Sequence, residues 1–100
     1  MDPALPELQI ADVVKSTAGR DVDKWFYVID LDETYLYLAN GKDRPLERPK
    51  RKKRKHVQKV LRSETRVAEK LRLGDKVLNS ELRRDLAFLA GQMQVNNLGG

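Results

Sequence analysis

Apolar positions change their spacing two-thirds of the way along the chain. Up to about residue 62 they come in short runs divided by polar turns. "IADVVKS", Ile10 to Ser16, is β-branched and bounded by loops, which predicts a first strand. "TAGRDVDK" follows as a polar loop turning at Gly19. "WFYVIDL", Trp25 to Leu31, is almost continuously apolar, which predicts a second strand buried on both faces or strongly twisted. Asp32-Glu33-Thr34 predicts a turn, and "YLYLA" a third strand. Asn40-Gly41 predicts a hairpin, because both residues tolerate positive φ. A short fourth strand is expected around Pro45–Arg48, with its prolines marking an edge or an end. "KHVQKVL" fits either a fifth strand or a helix start.

Beyond residue 62 the spacing becomes helical. Ser63 is the expected cap of "ETRVAEKLRL", with Val67 and Leu71 on one face and Gly74 as the stop. Asn79 or Ser80 caps "ELRRDLAFLA", with Leu82, Leu86 and Leu89 in a stripe and Gly91 at the end. Short strands joined by tight turns, without helices between them, predict a mainly β fold: a small antiparallel barrel with two short C-terminal helices. The expected divisions are a flexible lead-in over 1–8, a barrel over 9–62, a helical appendage over 63–91 and a disordered tail over 92–100.

Length and composition narrow the function. One hundred residues make one small domain with a modest core and no large cleft. Cysteine is absent, which removes disulfides, thiolate nucleophiles and zinc–thiolate sites and fits a reducing compartment. The opening "MDPALPELQI" lacks a signal-peptide pattern, and no run reaches membrane-spanning length. A cytoplasmic location without a membrane partner is therefore expected.

Charge is distributed unevenly. Residues 1–41 carry three Lys or Arg against eight Asp or Glu. Residues 42–66 carry twelve against three, and residues 67–100 five against four. The middle segment thus supplies the whole positive excess, and its centre is Arg48 to His56, "RPKRKKRKH". Crowded cations repel one another unless a polyanion neutralises them. Phosphate contacts from Arg48, Lys50, Arg51, Lys52, Lys53, Arg54, Lys55 and His56 are therefore expected. The run carries no apolar residue, so neutralising Lys50 to Lys55 is expected to leave the barrel folded.

One motif points elsewhere. "FYVIDLDET" sets Asp30 and Asp32 after an apolar strand, as aspartyl phosphatases of the haloacid dehalogenase type do. That chemistry needs a parallel sheet with crossovers of a dozen residues or more. The next strand here begins at Tyr35, so no crossover fits. Gly74-Asp75-x-x-x-Asn79 mimics that fold's metal motif but follows a helical pattern instead of a strand. The pair is read as turn residues, with no catalytic site, metal or cofactor expected. The lone histidine, His56, sits among cations with no carboxylate nearby in sequence, which disfavours a role as general base.

The stretch from Ile10 to about Gln58 resembles the KOW-domain RNA-binding proteins. Small bacterial members akin to the archaeal and eukaryotic large-subunit ribosomal protein L-fourteen family are the nearest likeness. The resemblance rests on "DVVKSTAGRD", "WFYVID" and "YLYLANGKDRPLERPKRKKRKH", with "LNSELRRDL" similar to the helix that ends such chains. It implies an SH3-like barrel and a motif centred on Gly19. It also implies RNA contacts from Lys15, Ser16, Gly19, Arg20 and Lys24 beside the basic run. Ribosomal RNA, with ribosomal proteins as further partners, would be the ligand, and no enzymatic activity is implied. The chain departs from the pattern twice: Ala11 precedes Asp12 where family members usually have Gly-Asp at the first strand, and Asp23 precedes Lys24 where they often have a glycine shortly before the second. A protein-interaction adaptor docking on the translation or transcription machinery is the alternative. Trp25, Tyr35 and Tyr37 are expected to pack instead of stacking on bases.

Overall fold

The structure, a computed structural model, describes residues 7–99, with side chains as far as Met93. Most of the expected lead-in, residues 1–6, lies outside the described residues. Five strands form one antiparallel sheet: β1 (Asp12–Ser16), β2 (Trp25–Leu31), β3 (Tyr35–Ala39), β4 (Lys50–Lys53) and β5 (Val57–Arg62). Their order is β4-β3-β2-β1-β5, so β4 and β5 are the two edges. A single 3-10 turn, Arg54–His56, joins those edges. Four residue steps span at most about 14 Å. The sheet must therefore curl until its edges approach, which makes it barrel-like.

The curl creates two cores. Leu8, Val14, Phe26, Val28, Leu36 and Leu38 fill the interior, with Leu31 and Val57 at the margin. Leu8 therefore belongs to the folded body and not to a flexible lead-in. On the outer face, Ala11, Val13, Tyr27 and Ala39 lie under the helices α1 (Arg66–Leu73) and α2 (Asn79–Gly99), packed on Val67, Ala68, Leu82 and Leu86. Both faces of β2 are thus buried, which is why its sequence does not alternate. Burial of each of the Val, Leu and Phe side chains among these contributes about 1.5–3 kcal/mol.

A polar cluster joins the two layers. The Tyr27 hydroxyl is hydrogen-bonded with Ser63 Oγ at 2.8 Å and with the Asp85 carboxylate of α2. Thr65 Oγ1 donates to the same carboxylate at 2.8 Å. Burial and the neighbouring Asp85 push the Tyr27 phenol up to about 12. Ser63 is committed to this cluster, so the cap of α1 is Thr65, whose side chain accepts from the Ala68 N–H. Gly74 ends α1 in the left-handed conformation, as expected.

Three expectations need correction. No strand forms at Pro45–Arg48; the fourth strand is the basic run itself, at Lys50–Lys53. Residues 40–49 instead make a loop pinned to α2: Asn79 Oδ1 accepts the Leu46 N–H at 2.8 Å, and Arg83 Nη1 donates to the Gly41 carbonyl at 2.9 Å. Gly91 does not end α2, whose backbone is helical to Gly99 across the expected disordered tail. A helical glycine costs only about 1 kcal/mol relative to alanine, and Gln92 and Met93 beyond it are fair helix formers. No helix among the described residues is long and apolar enough to cross a membrane.

Candidate nucleic-acid interface

The basic run forms a strand because β3 offers it an edge, and strand alternation then sorts its cations. β4 pairs with β3 in the register Leu38 with Lys50, Tyr37 with Arg51, Leu36 with Lys52 and Tyr35 with Lys53. Directly opposed residues share a face. Leu36 and Leu38 face the interior, so Lys50 and Lys52 turn inward with them. Arg51 and Lys53 point out with the tyrosines.

The inward lysines meet an anion. Lys52 is only 7% exposed, and its Nζ donates to Asp21 Oδ1 at 2.7 Å and to the Ala18 carbonyl at 2.6 Å. Ser16 Oγ donates to the same carboxylate oxygen at 2.8 Å. Lys50 Nζ lies 3.3 Å from Asp21 Oδ2, an ion pair without hydrogen-bond alignment. Burial pushes the Asp21 carboxyl up, but Lys52, Ser16 and Lys50 outweigh it and hold the group well below the usual carboxylate range. Asp21 is thus the post around which the β1–β2 loop winds. Gly19 in that loop has φ +87°, and a Cβ there would sit 3.5 Å from Lys52 Nζ.

The expected contact residues therefore divide. Ser16, Lys50 and Lys52 are structural, with Ser16 and Lys52 buried, because a run of like charges hides the alternation that sends every second one inward. Lys24 is exposed but paired to Asp43 at 2.8 Å. Arg54 is half-buried; its Nε and Nη2 donate to the Asp32 carbonyl at 2.9 and 2.7 Å. Lys15 and His56 are half-buried, and the His56 carbonyl accepts the Thr17 N–H at 2.9 Å. Gly19 is exposed. Arg20, Arg48, Arg51, Lys53 and Lys55 are exposed and make no ion pair among the described residues.

The 3-10 turn, which carries Lys55, is held between two loops. Its Arg54 N–H donates to the Thr34 carbonyl of the β2–β3 turn, and its His56 carbonyl binds Thr17 of the β1–β2 loop. A shallow groove beside it is lined by Glu33, Thr34, Lys53, Arg54 and Lys55. The Arg51 guanidinium lies over the Tyr35 ring, 4.5 Å from its centroid. Sequence reading located the charge but missed Asp21 as an internal anchor and Arg51 as a stacked one. Both follow from the β3–β4 register, which no local pattern in a run of cations announces. Trp25 is half-buried against the outer core, as expected.

The aspartate pair belongs to a hairpin, Asp30 in β2 and Asp32 in the turn that follows. Asp32 Oδ1 accepts the N–H groups of Thr34 and Tyr35 at 2.8 and 2.7 Å, and those backbone donors, Tyr35 first, lower its carboxyl. Asp30 Oδ1 accepts the Leu31 N–H. Both lie in an antiparallel hairpin, and Asp75 follows the end of α1 and not a strand. Asparagine makes the same turn. Asp30→Asn and Asp32→Asn are accordingly expected to change stability by less than about 1 kcal/mol. Thermal melting checks this, and magnesium-dependent phosphomonoester hydrolysis lost in either variant would overturn the turn reading. Comparison with known proteins supplies no family: no family model and no curated protein matches the chain.

Proposed function

We propose that this chain is an RNA-binding domain associated with the ribosome, gripping phosphates through the outer side of β4 and the turn that follows. One observation carries the reading: Arg51 and Lys53 on the outer side of β4 and Lys55 on the turn that follows are exposed and make no ion pair among the described residues. Asp21 already neutralises the inward lysines, so these outward cations are left for an external anion. Phosphates supply one without sequence readout. A cytoplasmic location and ribosomal RNA as ligand go with this reading, with ribosomal proteins as further partners.

The resemblance to KOW domains gains support from backbone geometry. Family members usually carry glycine before the aspartate of the first strand and often one shortly before the second; this chain has Ala11 and Asp23 there. Among the described residues these are the non-glycine positions with positive φ, 72° and 70°. An alanine in that region costs about 1–2 kcal/mol. The backbone thus keeps a glycine-like conformation although the glycines are gone.

A binding titration with a folded ribosomal RNA fragment tests the reading. Arg51→Gln/Lys53→Gln/Lys55→Gln is expected to lose most of the affinity and stay folded, because none of the three is buried or ion-paired and only the Arg51–Tyr35 stack, about 0.5–1 kcal/mol, is lost. Undiminished binding would move the adaptor alternative forward, with the exposed Leu73, Leu78 and Phe88 as its first candidates for a contact surface.

A further inference from the structure

β3 carries two aromatic rings on the outer face of the sheet. Ala39, on the same side of the strand, lies under the helices. Tyr37 and Tyr35, two and four residues back, are half-buried and belong to neither core cluster. The Arg51 guanidinium covers Tyr35 at 4.5 Å, and Lys53 stands opposite Tyr35 in the register. Phosphate-seeking cations and a ring–guanidinium stack thus share one small surface.

Phosphate binding alone needs no aromatic ring. Nucleobases, by contrast, stack on tyrosine rings and on arginine planes, and unpaired bases are the ones free to do so. A duplex keeps its bases stacked on each other and offers this surface only its backbone. We infer that Tyr35 with Arg51 forms a stacking site for an unpaired base, so that the RNA preferred by this surface is single-stranded or looped. The inference rests on the RNA-binding reading and adds the class of RNA.

Fluorescence anisotropy with three labelled probes tests it: a twelve-nucleotide single-stranded RNA, the same chain with abasic sites, and a duplex of equal length. The intact single strand is expected to bind the parent protein about five- to a hundredfold more tightly than the abasic chain, the range for one stacked base. Tyr35→Leu should bring the single strand down to the abasic level without weakening the abasic chain, and Tyr35→Phe should restore it. The parent's preference for bases over abasic sites is readable whether or not the leucine variant folds. Equal binding of all three probes would overturn the stacking site and leave phosphate binding standing; the Arg51–Tyr35 pair would then be packing on an edge strand. Binding to none of them would overturn both.

Discussion

Lys52→Met is expected to destabilise the protein by about 3–5 kcal/mol, the usual result of removing one partner from a buried ion pair. The side chain lies inside the barrel, and its ammonium is the closest cation to Asp21. Methionine keeps most of the apolar stem but leaves the buried carboxylate with the Ser16 hydrogen bond and, as its one cation, the off-axis Lys50 at 3.3 Å. Lys50 is partly exposed and retains some of the pairing, which favours the lower end of the range. At about 4–8 °C per kcal/mol for a domain of this size, melting should fall by at least about 12 °C. The effect should depend on pH. With its carboxyl held below the ordinary 3.8, Asp21 stabilises the parent above that pH, and the contribution is lost as pH falls further. In the variant the Lys52 part of that contribution is missing, so acid has less to remove. The gap between parent and variant is therefore expected to be full at neutral pH and to narrow below about pH 4. A gap independent of pH would contradict the role given to Asp21.

Gly41→Ala is expected to cost about 2–6 kcal/mol, combining a strained backbone at about 1–3 with overpacking at about 1–3. Gly41 has φ +76°, and a Cβ there would lie 2.2 Å from the Asn79 carbonyl oxygen and 3.1 Å from the Arg83 nitrogen. Both obstacles are backbone atoms of the first turns of α2, which cannot move aside as a flexible side chain would. The loop must therefore lift, breaking the Leu46–Asn79 and Arg83–Gly41 hydrogen bonds that clamp it. Chemical denaturation measures the cost, and faster amide exchange at Leu46 would locate it. Gly91→Ala is the control: a Cβ there meets nothing within 4 Å, and helix propensity favours alanine. Unchanged stability of Gly41→Ala would mean that the loop does not dock on α2 as described.

The strands legible in the sequence are those with an apolar reason to be strands. β2 was readable because both of its faces are buried, and β3 because Leu36 and Leu38 alternate with Tyr35 and Tyr37. β4 offers no such signal. Its inward residues are Lys50 and Lys52, whose burial depends on Asp21, some thirty residues earlier in the chain. Ser63 illustrates the same limit: it reads as a cap locally, but a buried tyrosine 36 residues away claims its hydroxyl. The candidate interface was legible as a concentration of charge. Which cations face outward was not, because that depends on the register of β4 on β3.

The central claim is that Arg51, Lys53 and Lys55 neutralise phosphates. The most direct test is the slope of log affinity against log salt concentration, for a folded RNA bound by the parent and by Arg51→Gln/Lys53→Gln/Lys55→Gln. Each phosphate contact contributes about 0.7–0.9 to that slope, so the variant's should be shallower by about 2–3 units. Parallel slopes would show that these three cations do not touch the RNA backbone and would contradict the account.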